Sequence, residues 1–224
     1  MTNDNNARRS FAVLDLEVLN DTEAYATYAQ LDPRAAELRW PFRKVCSASI
    51  LTFSITDEGL FEFGHMNSYA GSDEKDVITR LFNRLHELPG YQLVTWAGLS
   101  HDLPILRMGA AVYEILLPSQ LVHNARFGGR YQHLDLAVEM KAHGMYAHLS
   151  EIATRLKLPV KFGGSAARVP VLVEQKRWDH LMELADSDVI VTSMVLASHL
   201  RILGTLVSAT AAHIVILDEV RRLR

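Results

Sequence analysis

Between Phe11 and Leu19 the chain runs FAVLDLEVL, apolar at every position except Asp15 and Glu17. Such a run predicts an interior strand, and an interior strand needs covering layers on both faces. Strand side chains alternate between faces. Phe11, Val13, Asp15 and Glu17 therefore share one side of the strand, and Ala12, Leu14 and Leu16 the other. The two acids are neighbours on their side, about 7 Å apart at ~3.3 Å of rise per residue. Two like charges in a half-buried place repel and raise each other's pKa unless a cation lies between them. A hard divalent ion such as Mg²⁺ suits oxygen donors. The plain alternative is that both acids run past the strand end into water.

The remaining chain supplies the covering layers. Residues 1–10 are polar and predict a flexible start, and residues 18–42, with Pro33 and Pro41, predict a loop. KVCSASILTFSI and GLFEFGHM predict two antiparallel strands that turn at Asp57-Glu58-Gly59. SDEKDVITRLFNRLHEL predicts a helix capped by Ser72 or Asp73, with Val77, Leu81 and Leu85 at helical spacing and a stop at Pro89-Gly90. YQLVTWA predicts a short strand, and SHDLPILRMGA a helix that tolerates Pro104 in its first turn. Residues 113–130 carry no clear period. YQHLDLAVEM predicts a strand followed by a helix, and LSEIATRLKL a short helix. Residues 174–204 predict one bent helix or two. A last helix, ATAAHIVILDEVRRLR, carries Ile214, Leu217 and Val220 near one face. This order predicts an α/β protein, a mixed β-sheet flanked by helices, in one domain over residues 11–224.

Composition narrows the partners. The chain has 224 residues, 49% apolar and 22% charged, which suits a soluble globular protein. A net charge of −3 argues against a strongly basic nucleic-acid binder, so any such binding rests on a local patch. The single cysteine, Cys46, excludes an intramolecular disulfide and is expected to be buried. MTNDNNARRS has no apolar signal region. No run approaches the ~20 apolar residues of a membrane span. A cytoplasmic protein with no membrane partner is expected.

Two further acids stand out. Asp102 opens a helix, where aspartate commonly caps free N–H groups. In LMELADSDVIVTSMVL, Leu181, Leu184, Asp188, Thr192 and Val195 fall on one helical face. Asp188 thus sits in an apolar stripe, where an unpaired charge is costly. Asp186 lies about 200° round the helix and can be solvated.

Together these segments resemble the DEDD superfamily of 3′–5′ exonucleases, which share the ribonuclease H-like fold. The resemblance is nearest to predicted exonucleases related to the exonuclease domain of family-B DNA polymerases, and it runs from about residue 10 to residue 204. FAVLDLE gives Asp15 and Glu17, LVTWAGLSHDLPIL gives Asp102, and LADSDVIVT gives Asp188, with YQHLDLAVEM and LSEIATRLKLPVK between. The resemblance implies that Asp15, Glu17, Asp102 and Asp188 hold two Mg²⁺ or Mn²⁺ ions. Asp15 would bridge both, Glu17 and Asp188 would complete one site, and Asp102 would act at the other or through water. It implies stepwise phosphodiester hydrolysis at the 3′ end of single-stranded DNA or RNA, or of a short oligonucleotide. It further implies that Leu16, His101 and Lys161 contact substrate.

Three positions depart from the family pattern. A tyrosine four residues before the last aspartate, or a histidine five before it, usually orients the attacking water; here Leu184 and Glu183 stand there. T-W-N-G becomes TWAG, with Ala97 in place of asparagine. His101, His133 and His180 are the histidines in or near the motifs, and Arg126, Arg130 and Arg168 lie in loops that could flank a groove. Two rival readings follow. One is a catalytically weak or inactive relative that binds nucleic acid or a partner; the other is a phosphodiesterase for small nucleotides.

Overall fold

The computed structural model describes residues 8–32, 38–122, 125–127, 130–142, 144–145, 147–159 and 166–223. The chain opens with β1 (Arg9–Asn20) and α1 (Thr22–Leu31), then β2 (Arg43–Ile55), β3 (Phe61–Ala70) and α2 (Glu74–His86). Next come β4 (Gln92–Thr95), α3 (Asp102–Tyr113), the two-residue strands β5 (Arg126–Phe127) and β6 (Arg130–Tyr131), and β7 (His133–Asp135). Helices complete it: α4 (Leu136–Glu139), α5 (Leu149–Arg155), α6 (Val169–Glu174), α7 (Trp178–Ile202) and α8 (Ala209–Leu223).

The main sheet has the order β3-β2-β1-β4-β7. The long strands β1, β2 and β3 are antiparallel, while β4 runs parallel to β1, and β7 parallel to β4. This is the mixed sheet flanked by helices that the sequence predicts, and β1 lies at its centre. The alternation of FAVLDLE explains the two cores. Phe11 and Val13 pack with Leu51, Phe53 and Val94 against α7 and α8. Ala12, Leu14 and Leu16 pack with Ile50 and Leu93 against α2 and α3. Burying each large aliphatic or aromatic side chain contributes about 1.5–3 kcal/mol, so neither layer can detach without exposing the centre of the sheet.

Three local expectations change. The predicted loop at 18–42 is largely structured and ends in a short 3-10 turn at Trp40–Phe42. Strand β1 continues to Asn20 because it stays paired with β2 as far as Arg43. Helix α1 follows, capped by the Asp21 carboxylate. It buries no residue, so no apolar period could announce it. Of the two alternatives for 174–204, the structure has one 25-residue helix from Trp178 to Ile202, with α6 before it. In α8 the buried residues are Ala212, Ile216 and Val220, four apart, while Ile214 is 56% exposed. That helix packs on α7 and β3. No helix among the described residues is long and apolar enough to cross a membrane.

Candidate active site

The tip of β1 is shaped by an irregularity. Glu17 pairs with Ser47 but Val18 pairs with Val45, so Cys46 is an extra residue on β2. A bulge of this kind bends a strand and re-aims its side chains. Cys46 Sγ donates to the Glu17 carbonyl at 3.2 Å, and burial pushes its thiol up to about 12, so this cysteine is an inert core group. Glu17 is itself buried and Asp15 half-buried, both on the face covered by α7. Neither acid runs out into water.

Helix α7 brings the third acid. Each of Asp15, Glu17 and Asp188 offers a carboxylate oxygen, and these oxygens lie within 4.8 Å of one another. Long stretches of chain separate the first two from the third. Their meeting follows from the packing of α7 across β1 and β2 through Val189, Val191 and Val195.

Asp102 is placed differently from its expected capping role. The capping position is His101, whose side chain makes no cap, and Asp102 is the first helical residue, buried under α3. Burial raises its carboxyl to about 7, and the charges of Asp135 and Asp188 add to the shift. Asp102 therefore shares the field of Asp188, although it is not one of the three acids whose oxygens cluster.

The loop before Asp102 is held by a residue that is not one of the four motif acids. The Asp135 carboxylate, at the end of β7, accepts the N–H groups of Ala97 at 3.0 Å and Leu99 at 2.9 Å. It also caps α4 by accepting from Ala137 and Val138. The parallel pairing of Thr95 with Asp135 brings the two strand ends together. Ala97 takes a left-handed backbone with φ of 59°. Asparagine tolerates that region better than alanine does. Gly98 is required beside it, because a Cβ there would collide with the Thr95 side chain.

Beside Asp188 opens a cleft of about 360 Å³, lined by Trp96, Ser100, His101, His148, Ser150 and Val191 among others. His101 is exposed on its wall. His148, unremarked by the motifs, lies on the wall as well. A larger cleft of about 1030 Å³ is lined by Arg9, Arg107, Arg126, Tyr131, His133 and Arg201, and none of the four motif acids borders it. Arg126 does flank a groove, with its guanidinium 4.1 Å above the Tyr131 ring, but this groove is the larger one. Arg168 borders neither cleft, and the side chain of Arg130 lies outside the described residues.

The same geometry places the remaining candidates. The Leu16 side chain is buried on the opposite face of β1 from the acids, among the residues under α2 and α3, so a substrate lying over the acids could meet its backbone and not its side chain. Lys161 falls outside the described residues. His133 hydrogen-bonds Thr95 Oγ1 at 2.9 Å, and burial pushes it down to about 4. His180 sits on the surface against Asp179 at 2.9 Å. Leu184 packs with Cys46, Val169, Leu172 and Leu181 and has no group that could orient or deprotonate a water, and Glu183 is exposed. Asp186 is not left to solvent; it takes hydrogen bonds from Ser49 and Ser68.

Comparison with known proteins agrees with this architecture. The chain is similar in structure to a family B DNA polymerase from the archaeon Pyrobaculum calidifontis, with a TM-score of 0.58 at 18% identity over 86% of this chain and 24% of the polymerase. It is also similar to exonuclease I, with a TM-score of 0.54 at 11% identity over 86% of this chain and 41% of that one. The chain thus spans a quarter to two fifths of the length of these proteins, and at such identities the likeness shows the fold. No curated protein sequence matches. Residues 37–220 match a family described as predicted 3′–5′ exonucleases related to the exonuclease domain of PolB, a span that holds Asp102 and Asp188 and begins after Asp15 and Glu17. The chain belongs to this family of predicted 3′–5′ exonucleases.

Proposed function

We propose that the protein is a divalent-cation-dependent 3′–5′ exonuclease that hydrolyses single-stranded DNA or RNA. The observation that carries this reading is the meeting of Asp15, Glu17 and Asp188 within 4.8 Å. The donors are all carboxylate oxygens, the set that hard ions such as Mg²⁺ and Mn²⁺ take. Three carboxylates so close also repel each other strongly without a cation. The residues present therefore fit the ions that the family implies. Asp15, Glu17 and Asp188 would hold them, with Asp102 contributing directly or through water. Bound there, a pair of such ions stabilises the attacking and leaving oxygens of a phosphodiester and lowers the pKa of water.

The chain's own groups then bind and orient. In this reading the cleft beside Asp188 receives the terminal nucleotide, with Trp96 and Val191 as apolar wall and His101, Ser100 and Ser150 as hydrogen-bonding groups. Asp135 holds the 97–99 loop so that Asp102 enters from the start of α3. With net charge −3, attraction for a long polyanion rests on local groups, so short single-stranded ends are the preferred substrate. A cytoplasmic place of action belongs to the same proposal.

One observation favours a second reading, a weak or inactive relative. Leu184, at the position of the usual tyrosine, is buried in the core. The two separate in one assay. Purified protein with Mn²⁺ and a 5′-labelled single-stranded oligonucleotide should give a ladder shortened from the 3′ end, and Asp15→Asn should abolish it. Folded, Mn²⁺-loaded protein that cleaves neither DNA nor RNA would overturn the activity and leave the second reading.

A further inference from the structure

Asp15 pairs with Ser49, and Ser49 pairs with Ser68, so the three form one row across β1, β2 and β3. Directly paired residues in antiparallel strands point to the same face. Helix α7 crosses that face, and a single oxygen of Asp186, Oδ1, accepts the Ser49 hydroxyl at 2.6 Å and also the Ser68 hydroxyl.

We infer that Asp186 is a positioning residue: with Ser49 and Ser68 it locks α7 onto β2 and β3 and so fixes where Asp188 stands over Asp15 and Glu17. The inference rests on the cation-dependent reading above. Helical geometry supplies the first support. Asp188 follows Asp186 by two residues, about 200° round the axis and ~3 Å along it. Pinning Asp186 to two strands therefore limits both the roll and the slide of the helix, the two motions that would carry Asp188 away from β1. The strand spacing supplies the second. Ser49 lies one strand, about 4.8 Å, from Asp15, so the clamp and the acid cluster share a single patch of sheet.

The choice of residue supplies the third. Hydroxyl-to-carboxylate hydrogen bonds are charge-assisted and short, and they hold geometry better than neutral pairs. A fourth acid beside three others adds repulsion to the cation-free protein. That repulsion is tolerable where cations bind, and partners outside the coordinating shell commonly change metal affinity 10- to 100-fold.

The test is Mn²⁺ affinity, measured by titration calorimetry on wild type, Asp186→Ala, Asp186→Asn and the double variant Ser49→Ala/Ser68→Ala, with melting curves of each to verify folding. Asp186→Ala and the double serine variant should each weaken Mn²⁺ binding about tenfold. Asp186→Asn should weaken it less, since its amide oxygen still accepts both hydroxyls. Equal affinity in all four proteins overturns the inference. So does a loss in both Asp186 variants with none in the serine variant, because that pattern belongs to charge and not to the clamp. Wild-type protein that binds no Mn²⁺ removes the cation reading itself, and the inference with it, before any variant is compared.

Discussion

Asp188 of α7 places a carboxylate oxygen within 4.8 Å of one from Asp15 of β1. Two half-buried acids this close should repel in the cation-free protein, and neutralising one should relieve the repulsion. Asp188→Asn is expected to raise the melting temperature of the EDTA-treated protein by ~2–4 °C, about 1 kcal/mol, while removing nuclease activity. Adding Mn²⁺ should raise the wild-type melting temperature and leave that of the variant nearly unmoved. Thermal denaturation of both proteins with and without Mn²⁺ checks this, and a variant less stable than wild type in EDTA would contradict it.

Asp102 gives the cation-free protein a signed pH dependence. Its carboxyl titrates at about 7 when folded against 3.8 ordinarily. Between those values the folded protein keeps a proton that the unfolded chain has released, so stability falls as pH rises from about 4 to 7. His133 acts in the opposite sense. Its folded pKa of about 4 lies below the ordinary 6.5, so its contribution is full above 6.5 and is lost as pH falls toward 4. The difference between wild type and Asp102→Asn isolates the first group. Urea unfolding in EDTA should find the variant more stable by on the order of 4 kcal/mol at pH 8 and nearly equal at pH 4. A constant difference across that range would exclude the assignment.

Ala97 carries backbone strain that glycine would not. Its φ is 59°, a region that costs an L-residue about 1–2 kcal/mol. Offset by the greater freedom of glycine in the unfolded chain, Ala97→Gly should stabilise by about 0.5–1 kcal/mol. The N–H bond to Asp135 survives the change, so activity should be retained. A calorimetric melt checks the sign, and a lower melting temperature would count against it.

Where a residue's neighbours in the chain are also its neighbours in space, the sequence was informative. The alternation of FAVLDLE placed Phe11 and Val13 against one layer and Ala12 and Leu14 against the other, as found. The apolar stripe of α7 marked Asp188 as an acid facing the core. Two kinds of feature escaped. Helix α1 buries nothing, so it left no period to find. Asp135 and Asp186 act through residues far along the chain, Asp135 on the N–H groups of Ala97 and Leu99 and Asp186 on serines of β2 and β3. A period along one helix could say which face Asp186 occupies, but not that two strand hydroxyls wait there. Asp135 had a signal, an acid directly after a short strand and before a helix, but it pointed to its cap role alone.

Asp135→Asn tests the clasp behind Asp102. The carboxylate takes the N–H groups of Ala97, Leu99, Ala137 and Val138. An amide offers one oxygen and turns an NH₂ group toward donors on the other side. The variant should lose about 1–3 kcal/mol of stability, and kcat should fall more than KM changes, because Asp102 loses its placement. Chemical unfolding together with steady-state kinetics on a labelled oligonucleotide would check both, and unchanged stability would show the clasp to be idle.

In the proposed function, divalent cations hold together acids that would otherwise push apart. Anomalous diffraction from crystals soaked in Mn²⁺ tests that most directly. A peak among the carboxylates of Asp15, Glu17 and Asp188 is the predicted result. Fully soaked crystals with no peak at these acids, or with Mn²⁺ only elsewhere, would contradict it.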